Sequence, residues 1–166
     1  MQAQWRGRIA VLAIGLAIIA ILGMAGATGL GRSGPALLIS RPDGALLARV
    51  PLPPDGSFSL RYRNSLYGSL AEERFVIGDA GRLDLVELQA DELAVLEEYY
   101  AIDEAAVPSD GRSWAAPPAH RPTIHRLRVA ATDLGERTLL VAGREPLELW
   151  RLVDDAEPSV ILELDG

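Results

Sequence analysis

Apolar and polar residues alternate in short stretches from residue 36 to the C-terminus, and turn motifs separate these stretches. The clearest case is residues 57–63, where Phe58, Leu60 and Tyr62 alternate with polar side chains. A period of two places these three apolar side chains on one face of a β-strand. By the same pattern, strands are predicted at residues 36–40, 45–50, 57–63, 71–77, 83–88, 124–131, 137–142 and 159–164.

Turn motifs predict how neighbouring strands pair. RPDG at residues 41–44 and GDAG at residues 78–81 favour tight turns, because Pro and Gly adopt the backbone angles that such turns need. Each motif predicts a hairpin between the strands that flank it. DLGE at residues 133–136 likewise predicts that the strand after it returns along the strand before it. The alternation slips near Val86, which predicts a β-bulge there.

Three segments depart from the alternating pattern. Residues 91–107 fit either a short helix that ends at Pro108 or a strand at residues 93–96 followed by a loop, and we expect the helix. Residues 109–122 are rich in Pro, Ala and Gly and predict a loop. Residues 147–153 fit a strand or a single helical turn. Seven or eight short strands with frequent turns predict a mostly β chain, a small antiparallel β-sandwich or barrel.

A different pattern marks the N-terminus. Residues 9–31 carry no charge, follow Arg6 and Arg8, and are long enough to cross a bilayer as one transmembrane helix. With these arginines before the segment and a net acidic chain after it, the positive-inside rule predicts export of the remainder. The segment is either a retained signal anchor or a signal peptide cleaved near Ala27. Its uninterrupted length favours retention.

These boundaries predict a single-pass protein of the inner (cytoplasmic) membrane with its C-terminal domain in the periplasm. Cleavage near Ala27 would instead release that domain into the periplasm. The predicted parts are a cytoplasmic N-terminus at 1–8, the transmembrane helix or signal sequence at 9–31, a linker at 32–35 and an exported β-rich domain at 36–166.

Composition excludes several function classes. The chain has no cysteine, which excludes disulfides, thiolate catalysis and Cys-based metal sites. All its basic residues are Arg, so no lysine is present for a Schiff base or a P-loop. Beyond residue 8, 14 Arg stand against 23 acidic residues, a net charge of −9. The basic footprint of a nucleic-acid binder is therefore missing, and we expect no nucleic-acid partner.

Polar residues interrupt the strand pattern between Tyr62 and Glu73. If the strand phase continues, Asn64 lies in line with Tyr62, and Glu73 lies in line with Phe75, so both polar groups point inward. An inward carboxylate needs hydrogen bonds or a positive partner. The hydroxyl groups of Tyr62 and Ser65 and the Asn64 amide are the nearest donors in the sequence.

This group predicts either a small ligand-binding pocket or a structural network that locks the loop at residues 64–70, and we favour the network. A slipped register would bury Glu72 instead of its neighbour. The tentative ligand-binding residues are Tyr62, Asn64, Ser65 and Glu73.

The same stretch resembles domain-of-unknown-function family 1850, whose pattern is Tyr, any residue, His, Ser, Val and, some residues later, Glu. Tyr62, Ser65 and Glu73 match this pattern, Leu66 takes the Val place, and Asn64 stands where the family has His. The later run RLRVAATDLGERTLLVAGREPLELW is similar to the family's C-terminal strands.

The resemblance implies a small exported bacterial protein that accompanies tripartite ATP-independent periplasmic (TRAP) transporters of the TAXI type. It therefore implies a transporter permease as a partner, in addition to the inner membrane, which residues 9–31 would contact. It implies no biochemical activity. Asn64 can form hydrogen bonds but does not titrate near neutral pH as His does, which favours a structural or binding role at this position.

Two other groups of residues suggest metal binding only weakly. Residues 84–104 are rich in Asp and Glu, but their spacing matches no EF-hand loop, so a solvated acidic face is the simpler expectation. His120 and His125 are five residues apart, which suits neither a helical zinc pair nor a catalytic triad. We expect no metal site and no cofactor.

Three functions remain, in decreasing order of support. The first is a membrane-anchored periplasmic accessory module that contacts a transporter through loops 64–70 and 109–122. The second is a module that binds a small molecule or cation near Tyr62, Asn64 and Glu73. The third is a hydrolase with Glu73 as base, which lacks a nucleophile, a metal set and an oxyanion motif. We therefore expect no catalysis.

Overall fold

Two antiparallel β-sheets form most of the structure. The computed structural model describes residues 34–79, 81–102, 107–109 and 112–166, and these residues are mostly β, as the alternating pattern predicts. The predicted membrane segment at residues 9–31 lies outside them. Among the residues that the structure describes, no helix combines the length and the apolar character needed to cross a membrane.

Twelve short strands and two short helices follow one another in the described residues. The first six strands are β1 (Ala36–Ser40), β2 (Leu46–Pro51), β3 (Phe58–Arg63), β4 (Leu70–Gly78), β5 (Arg82–Ala90) and β6 (Val107–Ser109), with a π-helix at Val95–Tyr99 between the last two. The others are β7 (Arg112–Ala116), β8 (Thr123–Ile124), β9 (Arg126–Ala130), β10 (Thr138–Leu140), β11 (Leu147–Glu148) and β12 (Ser159–Leu164), with a 3₁₀ helix at Leu149–Arg151.

The strands divide between a small and a large sheet. The small sheet has the order β2-β1-β12-β9, and the large sheet has the order β11-β10-β3-β4-β5-β7-β6. Strand β8 also pairs with β5. Because β8 and β9 are consecutive in the chain, the backbone passes from the large sheet to the small one at His125, between these strands.

The inward side chains of both sheets pack into one apolar cluster, here called the inter-sheet core. Phe58 and Phe75 stack within it, with ring centroids 5.1 Å apart. Each fully buried aliphatic side chain stabilises the fold by about 1.5–3 kcal/mol relative to an exposed one. The buried members of the inter-sheet core are Leu37, Ile39, Leu52, Phe58, Leu60, Phe75, Leu83, Val129, Ala131, Leu139, Val141, Leu149, Val160 and Leu162.

A second, smaller cluster lies at one end of the large sheet and is here called the end cluster. The π-helix contributes Val95 and Leu96, both fully buried. Ala101, just after the helix, has a φ of 52°, and the Ile102 N–H donates to the Leu96 carbonyl at 3.0 Å, which holds the chain against the end of the helix. The buried members are Tyr62, Ala71, Leu88, Ala90, Val95, Leu96, Ile102 and Ala116.

Local patterns predicted several features that the structure confirms. β1 and β2 form the hairpin expected around RPDG, where Gly44 has a φ of 93°. β4 and β5 form the next hairpin. Their register shifts between Arg74 and Phe75, which leaves Val86 unpaired in the bulge that the broken alternation predicts. Outward Arg126 and inward Val129 also follow the predicted alternation.

The prediction that residues 137–142 return along 124–131 is wrong. DLGE does form a turn, but β9 pairs with β12 in the small sheet, whereas β10 pairs with β3 and β11 in the large sheet. The turn therefore carries the chain from one sheet to the other. Long-range pairing decides this, because the turn motif alone does not specify which strand accepts the next one.

The predictions for residues 91–122 are also partly wrong. The helix is confined to the short segment Val95–Tyr99, and Val107–Ser109 is a strand, so Pro108 does not end the helix. The predicted loop at 109–122 contains strand β7, which pairs with the C-terminal half of β5. The open edge of β5 supplies backbone partners there, so pairing outweighs the weak local signal.

Candidate functional site

Glu73 is an acidic side chain in an apolar row. It lies on β4 on the same face as Ala71 and Phe75, and its cross-strand neighbours are Leu60 on β3 and Leu88 on β5. The predicted inward orientation of Glu73 is therefore observed. A carboxylate in this setting loses hydration and requires compensating polar partners.

Two side chains supply these partners directly, and a third supports them. The Arg137 guanidinium lies 3.0 Å from one carboxylate oxygen of Glu73, and the Tyr100 hydroxyl donates to the other at 2.7 Å. Because the Tyr100 hydroxyl donates its hydrogen bond to Glu73, the Tyr62 hydroxyl is the donor in the bond between the two tyrosines, at 2.6 Å. The guanidinium also lies 4.4 Å from the centre of the Tyr62 ring, a cation–π contact. We call these four residues the Glu73 network.

The network is largely shielded from water. The side chains of Arg137 and Glu73 are 13% and 16% exposed. Burial raises the pKa of Tyr62 to about 12. Burial, followed by the nearby negative charge of Glu73, raises the pKa of Tyr100 further. Both hydroxyls therefore keep their protons at neutral pH and act as donors.

The Asn64 side chain forms its hydrogen bonds with the neighbouring loop and not with Glu73. Its side chain is buried, and its amide oxygen accepts the backbone N–H groups of Leu66 and Tyr67 at 3.0 and 3.2 Å. Its backbone carbonyl accepts the N–H of Gly68, where φ is 67°. This is the loop-locking role that the structural interpretation of the sequence predicts. Ser65 lies in the same turn and is exposed.

The tentative site residues thus separate into two groups. Tyr62 and Glu73 meet through a hydroxyl that the sequence interpretation did not include, that of Tyr100, while Asn64 and Ser65 belong to the loop. Arg137 was also missed. Its position two residues before inward Leu139 was the available signal, since a period of two places both on one face. Whether any of these residues binds a ligand stays a prediction.

Three surface elements meet beside this network. Arg63, at the end of β3, donates its backbone N–H to the Gly135 carbonyl, and its guanidinium contacts Glu136 at 3.3 Å and the Gly68 carbonyl at 2.9 Å. These contacts join loop 64–70 to turn 133–136. The Tyr67 hydroxyl donates to Glu98, which joins the same loop to the π-helix.

Each of the three elements exposes one large apolar side chain. Leu66 in the loop is 76% exposed, Leu134 in the turn is 65% exposed, and Tyr99 in the π-helix is 61% exposed. Exposed carboxylates lie on or next to the same elements: Asp91, Glu92, Glu97, Glu98, Asp133 and Glu136. We call these exposed residues together the Leu66 surface.

Within the described ranges, no group of three or more His, Asp or Glu side chains is placed to hold a metal ion. Comparisons of the chain with protein-family models, with curated proteins and with solved structures find no match. Inference about function therefore rests on the chain's own residues and their geometry.

Proposed function

We propose that the chain is an accessory module of the inner membrane, without catalytic activity. Residues 9–31 anchor it, and residues 36–166 form a small β-sandwich domain in the periplasm that contacts the permease of a TAXI-type TRAP transporter. The resemblance of residues 62–73 to family 1850 supports the choice of partner. The uncharged N-terminal segment after two arginines supports the location.

The Leu66 surface is the observation that carries the interaction role. Exposed apolar side chains occur singly on many proteins, but here loop 64–70 is joined both to the turn and to the π-helix, and each of the three elements presents one. The surrounding carboxylates would repel another acidic surface and attract a basic one. The partner face that fits is therefore apolar with arginine or lysine at its rim.

The Glu73 network supports the absence of catalysis. Glu73 is the one carboxylate among the candidate residues; its side chain is 16% exposed, and Arg137 and Tyr100 each contact one of its oxygens. A general base must lie within hydrogen-bond reach of the substrate proton, and the low exposure of Glu73 shields its carboxylate from a substrate. The satisfied network instead fixes β3 and β4, from which loop 64–70 projects.

A reporter fusion tests the location. Alkaline phosphatase, which is active only after export, is fused behind Gly166 in the full-length chain. We expect high activity and recovery of the intact fusion in the membrane fraction. A soluble, shortened fusion would indicate cleavage near Ala27. An inactive phosphatase, together with an active cytoplasmic reporter at the same position, would overturn the proposed location.

Co-purification tests the partner. The full-length chain is isolated in mild detergent from cells that also express a TAXI-type permease, and the amount of permease recovered is measured. We expect Leu66→Asp to lower this recovery at least fivefold, because a charge in the centre of an apolar contact must be desolvated. Leu46→Asp is the matched control, since Leu46 is 62% exposed on the small sheet. Equal recovery for both variants, or none with the unaltered chain, would refute the contact.

The alternative function, a binding site at Tyr62, Asn64 and Glu73, has less support. A ligand there would have to replace the Tyr100–Glu73 hydrogen bond or the Arg137 ion pair. Thermal-shift measurements with small organic acids and divalent cations test it, because a ligand that binds the folded state raises the melting temperature. A shift that disappears in Glu73→Gln would favour this alternative.

A further inference from the structure

A cleft on the outer face of the large sheet lies away from both the Glu73 network and the Leu66 surface. Leu140, Ser59 and Arg74 form one row across β10, β3 and β4, because each is the register partner of the next. This row faces away from inward Leu60 and Leu139. The cleft has a volume of about 250 Å³, and Arg144, from the turn after β10, also lines it.

The two arginines of this cleft lack ion-pair partners within the described part of the chain. Arg49, Arg61, Arg63, Arg126, Arg137 and Arg151 each lie within 4.0 Å of a carboxylate oxygen. Neither Arg74 nor Arg144 does so among the residues that the structure describes. Other described arginines, such as Arg41 and Arg121, also form no ion pair there, but Arg74 and Arg144 line one cleft together and offer positive charge for a bound anion.

Two carboxylates lie near Arg74, and each accepts hydrogen bonds from other groups. Asp55 accepts the backbone N–H and the hydroxyl of Ser57, at 3.0 and 2.9 Å. These hydrogen bonds and, to a smaller extent, the positive charge of Arg74 hold the pKa of Asp55 below its usual range. Glu87, the register partner of Arg74, accepts the side-chain amide of Gln89 at 2.7 Å. Both acids lower the affinity of the cleft for anions, but neither forms an ion pair with Arg74 or Arg144 within the described residues.

We infer that this cleft binds a small organic carboxylate. Guanidinium groups bind carboxylates through paired, charge-assisted hydrogen bonds, and Ser59 adds a hydroxyl donor. Leu140 and Ala142, which are not buried, add apolar lining, which suits a carbon skeleton better than an inorganic anion. The volume lies just below the range of about 300–1,000 Å³ that is usual for drug-sized ligands, so the ligand has few heavy atoms.

Calorimetric titration of the purified full-length chain in detergent tests the site. The probes are pyruvate, benzoate and inorganic phosphate, each at up to 20-fold excess over the expected half-saturation, on the order of 1 mM, typical of a weak two-arginine contact. We expect saturable binding of at least one carboxylate, weakened tenfold or more by Arg74→Gln and by Arg144→Gln. Arg41→Gln is the control, because Arg41 also forms no ion pair with a described residue but lies in the β1–β2 turn.

Each other outcome overturns the inference. No saturable binding of either carboxylate would exclude the site. Tighter binding of phosphate than of both carboxylates would indicate an inorganic-anion site. An equal loss in Arg41→Gln would show that general charge, and not the cleft, attracts the probe. Melting curves of all three variants establish that they are folded. This inference does not depend on the proposed permease contact.

Discussion

The inter-sheet core and the end cluster both bury side chains of the large sheet, but the chemistry of the buried groups differs. The inter-sheet core joins residues from both sheets, and its buried members are all apolar. The end cluster has eight buried members against fourteen, is covered by a single short π-helix, and includes a tyrosine hydroxyl. Glu73 and Arg137 lie where the two meet, since Glu73 stands between Ala71 of one and Phe75 of the other.

This difference indicates a division of roles. An apolar core needs only approximate volume and pattern to form, so it can establish the sheet pairing. A buried polar network needs defined distances, so it specifies one arrangement of the elements that supply it. The inter-sheet core therefore provides most of the stability. The end cluster and the Glu73 network position the Leu66 surface.

The largest expected effect on stability comes from truncating one buried leucine in each cluster. Leu162 and Leu96 are both fully buried, one in each cluster. We expect Leu162→Ala to lower the free energy of unfolding by about 4 kcal/mol and Leu96→Ala by about 2 kcal/mol, because the cost depends on how far the surroundings relax. Only the short π-helix would need to move around the second cavity. Urea denaturation measures both losses of unfolding free energy. A larger loss in Leu96→Ala would contradict the claim that the inter-sheet core provides most of the stability.

The next effect tests the ion pair at the boundary. Arg137→Met leaves the Glu73 carboxylate without its positive partner, and we expect a loss of about 2 kcal/mol. The double variant Glu73→Gln/Arg137→Met should lose less than the sum of the single variants, since neither charge is then left alone. Arg61→Met is the control, because its pair with Glu72 is more exposed and is worth about 0–1 kcal/mol. Additive losses would show that the two side chains are not coupled.

High pH should weaken the end cluster selectively. Burial raises the folded pKa of Tyr62 to about 12 and also raises that of Tyr100, whereas an exposed tyrosine in the unfolded chain has a pKa near 10.0. The unfolded state therefore loses protons first, and stability falls as pH rises above 10, by up to about 1.4 kcal/mol per pH unit and per tyrosine. Below pH 10 this contribution is constant.

The unfolding free energy measured between pH 9 and 11.5 checks this. Tyr100→Phe should show a smaller decline over this range than the unaltered chain. Tyr99→Phe, in which the replaced side chain is mostly exposed, serves as the control. A decline of the same slope in Tyr100→Phe would mean that other groups cause the alkaline loss.

The smallest effect concerns the loop that the network supports. Asn64→Ala removes the acceptor for two backbone N–H groups, and we expect a loss of about 1 kcal/mol, similar to that of a helix N-cap. Ser65→Ala, one residue later and exposed, should change stability by less than about 0.5 kcal/mol. Thermal unfolding of both variants measures the difference. A loss confined to Ser65→Ala would reverse the assignment of these roles.

Part of the site could be predicted because it depends on local periodicity. The alternation of Phe58, Leu60 and Tyr62 fixes the face of β3, and the same period on β4 turns Glu73 inward. The partners of Glu73 could not be predicted in this way. Arg137 is 64 residues away in sequence, and Tyr100 lies in a segment whose helix and strand signals were nearly balanced.

The sequence alone determined the mostly β character, the β1–β2 and β4–β5 hairpins, the bulge at Val86 and the inward direction of Glu73. All of these depend on neighbouring residues, because strand phase and turn geometry are set within a few positions. Only the tertiary structure decided that β9 and β10 belong to different sheets, and that Tyr100 and Arg137 complete the network. Those outcomes depend on which distant strands share a core, and that choice is made by burial and backbone pairing over the whole domain.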